Sequence, residues 1–229
     1  MVKELRLNKI LDLAKNNDIV LIKDIVDKVK VSESTVRRDI KTLEEKDLIE
    51  SLSGGAIKLI TDIEDSYLEK TVINQNQKNI IGKKAAKLIK DGDTIYIDSG
   101  TTTLSMIKYI KAKDITIVTS APNIIHYMGN SNIRYIILGG EIDGRLSSIV
   151  GLYTEKMISE MYFDISFVGT NGYITGDYFY TFDERESRKK AVVISKSKIA
   201  YILADASKKN KKALSKFVKY EDVNLITEK

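Results

Sequence analysis

Two stretches of the sequence carry side chains that could bind phosphate groups or nucleic acid. In the first, Val36, Ile40 and Leu43 recur at helical spacing, which leaves hydroxyl and guanidinium groups on the outer face near the helix start. Such groups suit the phosphates and base edges of a DNA major groove. The candidate DNA contacts are Ser32, Ser34, Thr35, Arg37, Arg38 and Lys41. The alternative is an ordinary amphipathic surface helix, which Ser32 would cap with its hydroxyl.

The second stretch, residues 98–103, places one glycine and several hydroxyl side chains between a predicted strand and a predicted helix. Unpaired amides, the positive helix end and hydroxyl groups together suit a bound phosphate. The stretch has neither the Gly-Lys-Ser/Thr of a Walker A loop nor the repeated glycines of a dinucleotide fingerprint. Gly139-Gly140 and Gly169-Thr170-Asn171-Gly172 follow other predicted strands, although each alone is more often a simple turn.

Composition narrows the classes of function. The chain has 229 residues, 43% of them hydrophobic, which is ordinary for a packed globular protein. It has no cysteine, which excludes disulfides, thiolate metal sites and cysteine nucleophiles, and one histidine, so we expect neither a metal site nor a cofactor. No apolar run is long enough to span a bilayer and no secretory signal is visible, so we expect a cytoplasmic protein without membrane contact.

The net charge does not by itself indicate that the first stretch, with Ser32 to Lys41, binds DNA. The formal charge is +5, but residues 1–60 carry 12 Lys and Arg against 11 Asp and Glu. An interaction with DNA must therefore depend on where individual side chains lie, and not on bulk charge.

The elements around the first stretch predict a winged helix-turn-helix domain over residues 1–60. Three amphipathic helices are expected, the third running from Ser32 to about Lys46. Residues 48–52 and 56–60 alternate like two strands around Ser53-Gly54-Gly55, which is typical of a hairpin. A tight turn before the third helix and a hairpin after it complete that pattern. The polar run 61–79 is interpreted as a linker.

Residues 80–229 predict a larger, mainly parallel α/β domain of Rossmann-like type. Predicted strands at 94–97, 115–118, 134–138, 165–168, 199–203 and 223–226 alternate with helices. Ligands of such sheets bind beyond the carboxyl ends of the strands, which is where the second stretch falls.

Several motifs resemble the DeoR family of bacterial transcriptional repressors. They are Thr35-Val36-Arg37-Arg38-Asp39-Ile40, Gly54-Gly55-Ala56, Asp98-Ser99-Gly100-Thr101-Thr102, Leu138-Gly139-Gly140, Phe167-Val168-Gly169-Thr170, Glu186 with Lys190, and Asp205 with Ser207-Lys208. The resemblance implies that the third helix enters the major groove and that the second domain is a sensor for a phosphorylated sugar. One departure is in the wing, where Ser51 and Ser53 stand at positions that are usually Arg and His in the family.

The resemblance also implies the residues of the sensor site. Ser99, Gly100, Thr101 and Thr102 would hold the phosphate, and the other effector contacts would be Asp98, Gly139, Gly140, Gly169, Glu186, Lys190, Asp205 and Lys208. The alternative for Glu186 and Lys190 is an exposed ion pair between residues four apart on a helix.

The predicted function is that of a repressor of a sugar-metabolism operon. Double-stranded operator DNA and a small phosphorylated sugar are the expected partners, and the family resemblance implies that the sugar would release the repressor from its operator. A homo-oligomer, dimer or tetramer, is expected, because repeated half-sites require a symmetric protein. The alternative is a sugar-phosphate isomerase-like enzyme, in which Asp98, Glu186 and Asp205 would be the candidate acids and bases.

Overall fold

The computed structural model describes residues 3–15, 17, 19–45, 49–59, 67–129 and 132–229. The chain forms two compact units, residues 1–63 and residues 64–229.

The first unit is a winged helix-turn-helix, as predicted. Its elements are α1 (Lys3–Lys15), β1 (Val20–Leu21), α2 (Ile22–Val29), α3 (Glu33–Glu44), β2 (Ile49–Leu52) and β3 (Ala56–Leu59). The three strands form an antiparallel sheet in the order β1-β3-β2. Ile10, Ile25, Val36 and Leu43 meet in one buried apolar cluster, which packs the three helices together. The predicted end of α3 near Lys46 lies outside the described residues.

The start of α3 differs from the predicted side-chain cap. Ser32 occupies the N-cap position with extended backbone angles, but its side chain makes no capping hydrogen bond. Its hydroxyl lies 3.0 Å from Ser34 Oγ and 2.9 Å from Thr35 Oγ1. The hydroxyls therefore pair with one another, and the Ser32 carbonyl accepts from the amides of Thr35 and Val36.

The second unit contains the remaining elements. The helices are α4 (Tyr67–Val72), α5 (Gln75–Ala86), α6 (Thr101–Leu104), α7 (Leu152–Ser159) and α8 (Glu184–Ser195). The strands are β4 (Thr94–Ile97), β5 (Ile115–Thr119), β6 (Ile133–Ile137), β7 (Glu141–Asp143), β8 (Ser148–Val150), β9 (Phe163–Gly169), β10 (Gly172–Tyr173), β11 (Tyr178–Thr181), β12 (Ser197–Leu203), β13 (Ser215–Lys219) and β14 (Asn224–Ile226).

Six parallel strands form the main sheet, in the order β14-β12-β9-β4-β5-β6. Successive residues of β4 point to opposite faces, as in any strand. Ile95 and Ile97 join an apolar cluster with residues of α5 and α6, whereas Tyr96 joins a second cluster with Ile158 of α7 and Val193 of α8. Helices thus cover both faces, which confirms the predicted parallel α/β architecture.

Two small sheets were not predicted. β7 and β8 form an antiparallel hairpin, and β10, β11 and β13 form a three-stranded antiparallel sheet. These strands are two to five residues long, too short to show a clear alternation. No helix in the described part of the chain is long and apolar enough to cross a membrane.

The described part of the predicted linker is folded. Residues 61–66 lie outside the description, but 67–79 form α4 and the start of α5. Tyr67 packs against the apolar cluster of α5 and α6, and Lys78 is buried. This segment therefore belongs to the second unit, which begins before the predicted boundary at residue 80.

Candidate functional site

A pocket lies at the carboxyl edge of the main sheet, where β4, β9 and β12 end. Ten of the twelve predicted effector residues line it, namely Asp98, Ser99, Gly100, Thr101, Thr102, Gly169, Glu186, Lys190, Asp205 and Lys208. Residues that were not predicted also line it, namely Tyr67, Lys70, Ile73, Asn74, Lys78, Leu146, Thr170, Asn171, Thr181, Leu203 and Ser207. The pocket therefore brings together residues that are far apart in the sequence.

The loop after β4, residues 98–103, is held by hydrogen bonds of its own side chains. Thr103 Oγ1 donates to the carbonyls of Asp98 and Gly100, each at 2.7 Å. Ser99 is buried, and its hydroxyl donates to Ser148 Oγ at 2.9 Å. Thr101 and Thr102, half-buried, begin α6, whose first amides have no acceptor within the helix. The loop can offer those amides and two hydroxyls to an anion.

Two carboxylates and two ammonium groups form a buried charge cluster beside this loop. It consists of Asp98, Glu186, Lys189 and Lys190, none more than 6% exposed. Lys190 Nζ donates to Asp98 Oδ2 and lies 3.2 Å from Glu186 Oε2. Lys189 Nζ lies 2.6 Å from Glu186 Oε1 and 3.9 Å from Asp98 Oδ1. Glu186 and Lys190 are therefore not the exposed ion pair of the alternative interpretation.

Neutral groups complete the cluster. Lys189 Nζ donates to Ser120 Oγ at 3.0 Å and to Ser148 Oγ at 2.7 Å. Ser148 Oγ in turn donates to Glu186 Oε1 at 2.6 Å, and the Gly169 amide donates to Asp98 Oδ2 at 3.0 Å. Buried charges are tolerated when they are paired and hydrogen-bonded in this way.

The cluster shifts the pKa values of Glu186 and Lys190 in the directions that favour their charged forms. Burial alone would raise the pKa of Glu186, but the charges of Lys189 and Lys190 and the hydrogen bonds from Lys189 and Ser148 lower it below its usual value. Burial alone would lower the pKa of Lys190, but the charges of Asp98 and Glu186 and their hydrogen bonds raise it. Both groups are thus charged near neutral pH, and their charges largely cancel.

The start of α8 places Glu186 at the pocket. Asp183 caps this helix, because its Oδ1 accepts from the amides of Arg185 at 2.7 Å and Glu186 at 3.1 Å. An Asp at this position is a strong helix start signal. Residues three and four apart lie on the same helix face, so Lys189 and Lys190 both reach the Glu186 carboxylate.

A second polar corner of the pocket follows β12. Asp205 is buried and caps a short 3-10 helix (Ala206–Lys208), accepting from the Ser207 amide at 2.9 Å. Its Oδ1 also lies 3.3 Å from Asn74 Nδ2. The corner joins Asp205 and Lys208, both predicted, to Asn74, which was not.

Gly139 and Gly140 do not line the pocket, contrary to prediction. The Gly139 carbonyl accepts from Thr154 Oγ1 at 2.8 Å, which ties the end of β6 to α7. Gly140 has φ +152°, and a Cβ there would lie 2.0 Å from Thr154 Oγ1 and 2.7 Å from the Val150 carbonyl. Gly140 therefore allows the close approach of the β7–β8 hairpin to α7, whereas a Cβ at Gly139 would make only ordinary contact with Met157 Sδ at 3.5 Å.

Lys70, Asn74, Lys78 and Lys189 were missed for different reasons. The first three lie in the run that was interpreted as a linker. Lys189 is fully buried although it lies among charged residues. Its spacing of three from Glu186 was the available signal.

The predicted DNA contacts lie together along α3. Five of them, Ser32, Ser34, Arg37, Arg38 and Lys41, are exposed, and Thr35 is half-buried. Arg37 pairs with Glu33, with Nη2 2.7 Å from Oε1. Arg38 Nη2 lies 3.4 Å from Thr35 Oγ1. This surface is polar and basic, and only weak local contacts hold its side chains.

A buried ion pair fixes the orientation of α3. Asp39 is 2% exposed, and its carboxylate accepts two hydrogen bonds from Arg6 of α1, one of them from Nη2 at 3.0 Å. Because Asp39 follows Arg38 directly, the pair holds the inner face of α3 while the arginines stay on the outer face.

Comparison with known proteins agrees with this division of the chain. The family model of the DeoR-like helix-turn-helix domain matches residues 6–61, and that of the DeoR C terminal sensor domain matches residues 73–229.

Individual relatives align over nearly the whole chain. The HTH-type transcriptional regulator FruR of Bacillus subtilis is 40% identical over 221 residues, which are 95% of this chain and 88% of that protein. The lactose phosphotransferase system repressor of Lactococcus lactis is 32% identical, over 91% of this chain and 84% of that protein. The solved structure of a translation initiation factor, eIF-2B of Pyrococcus horikoshii, is similar in fold alone, with TM-score 0.50, 13% identity and coverage of 100% of this chain and 82% of that chain.

The two matched domains and the relatives' names answer the question left open by the sequence. The relatives are named as transcriptional regulators and repressors, and the isomerase-like enzyme is not supported. The chain belongs to the DeoR family of DNA-binding helix-turn-helix transcriptional regulators.

Proposed function

We propose that the protein represses a sugar-metabolism operon and leaves its operator when a phosphorylated sugar binds in the pocket of the second unit. The observation that carries the proposal is the pocket itself, in which an amide and hydroxyl loop lies next to a buried cluster of compensated charges. The names of the relatives, one of them a lactose phosphotransferase system repressor, support the same class of function.

The two parts of the pocket suit the two parts of such an effector. The loop of Gly100, Thr101 and Thr102 offers helix-start amides and hydroxyls, which favour a phosphate. Glu186 and Asp205 offer carboxylate oxygens, which accept hydrogen bonds from sugar hydroxyls. Because Lys190 is paired with Asp98 and Glu186, it adds little net charge and suits an uncharged part of the ligand.

Repression requires α3 to bind the major groove. We infer that a homo-oligomer places two copies of α3 in successive grooves of an operator with repeated half-sites. The effector releases the protein only if it binds the DNA-free arrangement more tightly than the DNA-bound one.

Replacement of Thr101 with Glu tests the effector site. A carboxylate at the helix start repels a phosphate, so Thr101→Glu should lose the melting-temperature increase that a panel of pentose and hexose phosphates produces in the wild type. Thr101→Gln, of similar size but uncharged, is the matched control and should keep most of the response. An unchanged response in Thr101→Glu would remove this loop from the site.

Replacement of Arg37 and Arg38 with Ala tests the DNA surface. The double variant should lose specific binding to a duplex that the wild type selects from a random-sequence pool, since each good base contact contributes about 1–3 kcal/mol. Its sugar-phosphate response and melting temperature should stay unchanged. Retained specific binding would contradict the assignment of α3, and turnover of a sugar phosphate that is lost in Glu186→Gln would favour an enzyme.

A further inference from the structure

Helix α4 forms part of the pocket wall but contributes little to the core, because Tyr67 is its one residue packed against the apolar cluster of α5 and α6. None of its six residues is buried, and Leu68 and Val72 are each 73% exposed. Yet Tyr67 and Lys70 of α4 line the pocket, as does Asn74 shortly after it. Apart from the Tyr67 ring, burial of an apolar face therefore contributes little to the position of α4, whereas such burial stabilises most helices.

Polar contacts at its two ends hold α4 in place. At the start, the Tyr67 amide donates to the Arg145 carbonyl at 2.9 Å. At the end, the ammonium group of Lys78 donates to the Lys70 carbonyl, and Asn74 Nδ2 lies 3.3 Å from Asp205 Oδ1. Segments with few buried apolar contacts open at low free energy, so a ligand that adds contacts here changes how firmly α4 is held.

Chain connectivity places α4 next to the DNA-binding unit in sequence. Only residues 60–66 separate the end of β3 from the start of α4. It is thus the first described element after the DNA-binding unit, and it is also a wall of the effector pocket.

We propose that α4 reads the occupancy of the pocket: a phosphorylated sugar contacts Lys70 and Asn74, holds α4 against the pocket, and thereby changes the affinity of the chain for operator DNA. An ammonium group and a carboxamide are suitable donors to phosphate and hydroxyl oxygens. The inference rests on the proposed function and adds the element that connects its two sites. Such a coupling requires a held and a released position of α4 that differ in affinity both for the sugar phosphate and for operator DNA.

Hydrogen exchange on the full-length protein tests the inference directly. Ribose 5-phosphate and glucose 6-phosphate are added separately, each at a concentration that saturates its effect on the melting temperature. We expect amide exchange in peptides that cover 67–74 to slow several-fold, since a held helix opens less often. Slowing in the 98–103 loop with no change in 67–74 would overturn the role of α4 and leave the proposed function standing. No melting-temperature effect from any phosphorylated sugar would overturn both.

A pair of variants tests the coupling itself. The measured quantity is the ratio of operator Kd with and without saturating sugar phosphate, which for allosteric proteins is on the order of tenfold or more. Asn74→Ala and Lys70→Gln should reduce this ratio towards one. Lys87→Gln, an equal charge change at an exposed position of the next helix end, should keep the wild-type ratio.

The outcomes separate cleanly. A wild-type ratio in Asn74→Ala and Lys70→Gln would overturn the inference. A reduced ratio in Lys87→Gln as well would show that general surface charge, and not α4, sets the coupling. If Asn74→Ala or Lys70→Gln no longer binds the sugar phosphate, the hydrogen-exchange measurement on the wild type decides whether α4 responds to occupancy of the pocket.

Discussion

The DNA-binding surface of α3 and the sensor pocket hold charged side chains in opposite ways. On α3, Arg37 is exposed and pairs only with Glu33 on the same helix, where both side chains are more than half exposed. In the charge cluster beside the pocket, Lys189 is fully buried and contacts a carboxylate and two hydroxyls. An exposed pair contributes little to stability, whereas a buried charge that loses its partner is costly.

The difference separates two kinds of substitution. Changes on the outer face of α3 should alter DNA affinity while leaving folding intact, because the described contacts of Arg37 and Arg38 stay within α3. On the proposed function, changes in the charge cluster should alter stability and effector response together, because Asp98, Glu186 and Lys190 are buried in ion pairs and also line the pocket. Four predictions test this division, beginning with the largest expected effect.

Glu186→Ala should lower the free energy of unfolding of the second unit by about 3–5 kcal/mol, because it leaves the buried Lys189 ammonium without its nearest carboxylate. Urea unfolding followed by circular dichroism measures this loss. Glu184→Ala, on the same helix but exposed, is the control and should change stability by less than about 0.5 kcal/mol. Equal losses in the two variants would show that the cluster is not special.

Asp39→Ala should lower the stability of the first unit by about 2 kcal/mol, the size of a lost hydrogen-bonded charge pair, because the two hydrogen bonds from Arg6 to the buried Asp39 carboxylate are lost. This pair is the part of the DNA-binding unit that most resembles the pocket. DNA affinity should fall too, since α3 loses a contact that orients it. Asp27→Ala, which replaces an exposed carboxylate in α2, is the control. An equal loss of stability in Asp27→Ala and Asp39→Ala would contradict a special role for Asp39.

Glu33→Gln should raise DNA affinity about two- to fivefold at low salt, with the gain shrinking as salt increases. The substitution removes a negative charge that lies 2.7 Å from the Arg37 guanidinium and would repel phosphates. Melting temperature should change little, as for most surface substitutions. Fluorescence anisotropy with the selected duplex measures the affinity, and a loss of affinity would indicate that Glu33 positions Arg37.

Acidification should destabilise the wild type more steeply than Glu186→Gln. The pKa of Glu186 is lower in the folded protein than its usual 4.5, despite the opposing effect of burial, because of Lys189 and Lys190. Its contribution to stability is therefore fully present above about pH 4.5 and is lost as pH falls below that value. Melting temperatures between neutral pH and the acid range give the slopes. Parallel slopes would mean that Glu186 does not titrate differently on folding.

The sequence was most informative where patterns are long or where a strand end fixes a location. The helices and hairpin of the first unit follow from apolar spacing and from Gly54-Gly55, and the core is as that spacing requires. The loop after β4 was found because ligands of parallel sheets bind at carboxyl ends.

The site residues that were not predicted are placed by tertiary contacts, which cannot be inferred from the local sequence pattern. Lys70 and Lys78 are in a polar run with the composition of a linker, and only the folded chain brings them to the pocket. Gly139 and Gly140 follow a strand, as the glycines that line the pocket do. Their contacts, however, are with Thr154 of α7, and they lie outside the pocket lining. Burial of Lys189 likewise depends on β8, whose three residues were not recognised as a strand.

The order of strands in the main sheet has a consequence for synthesis of the chain. β4 lies between β5 and β9, so its pairing with β9, for example Ile95 with Ile165, waits until the second half of the chain has been made. Domains generally fold as units, the N-terminal one first. A product that stops before Phe163 contains every predicted DNA contact but lacks Gly169, Glu186 and Lys190. On the proposed function, premature termination there removes the response to the sugar before it removes the DNA-binding unit.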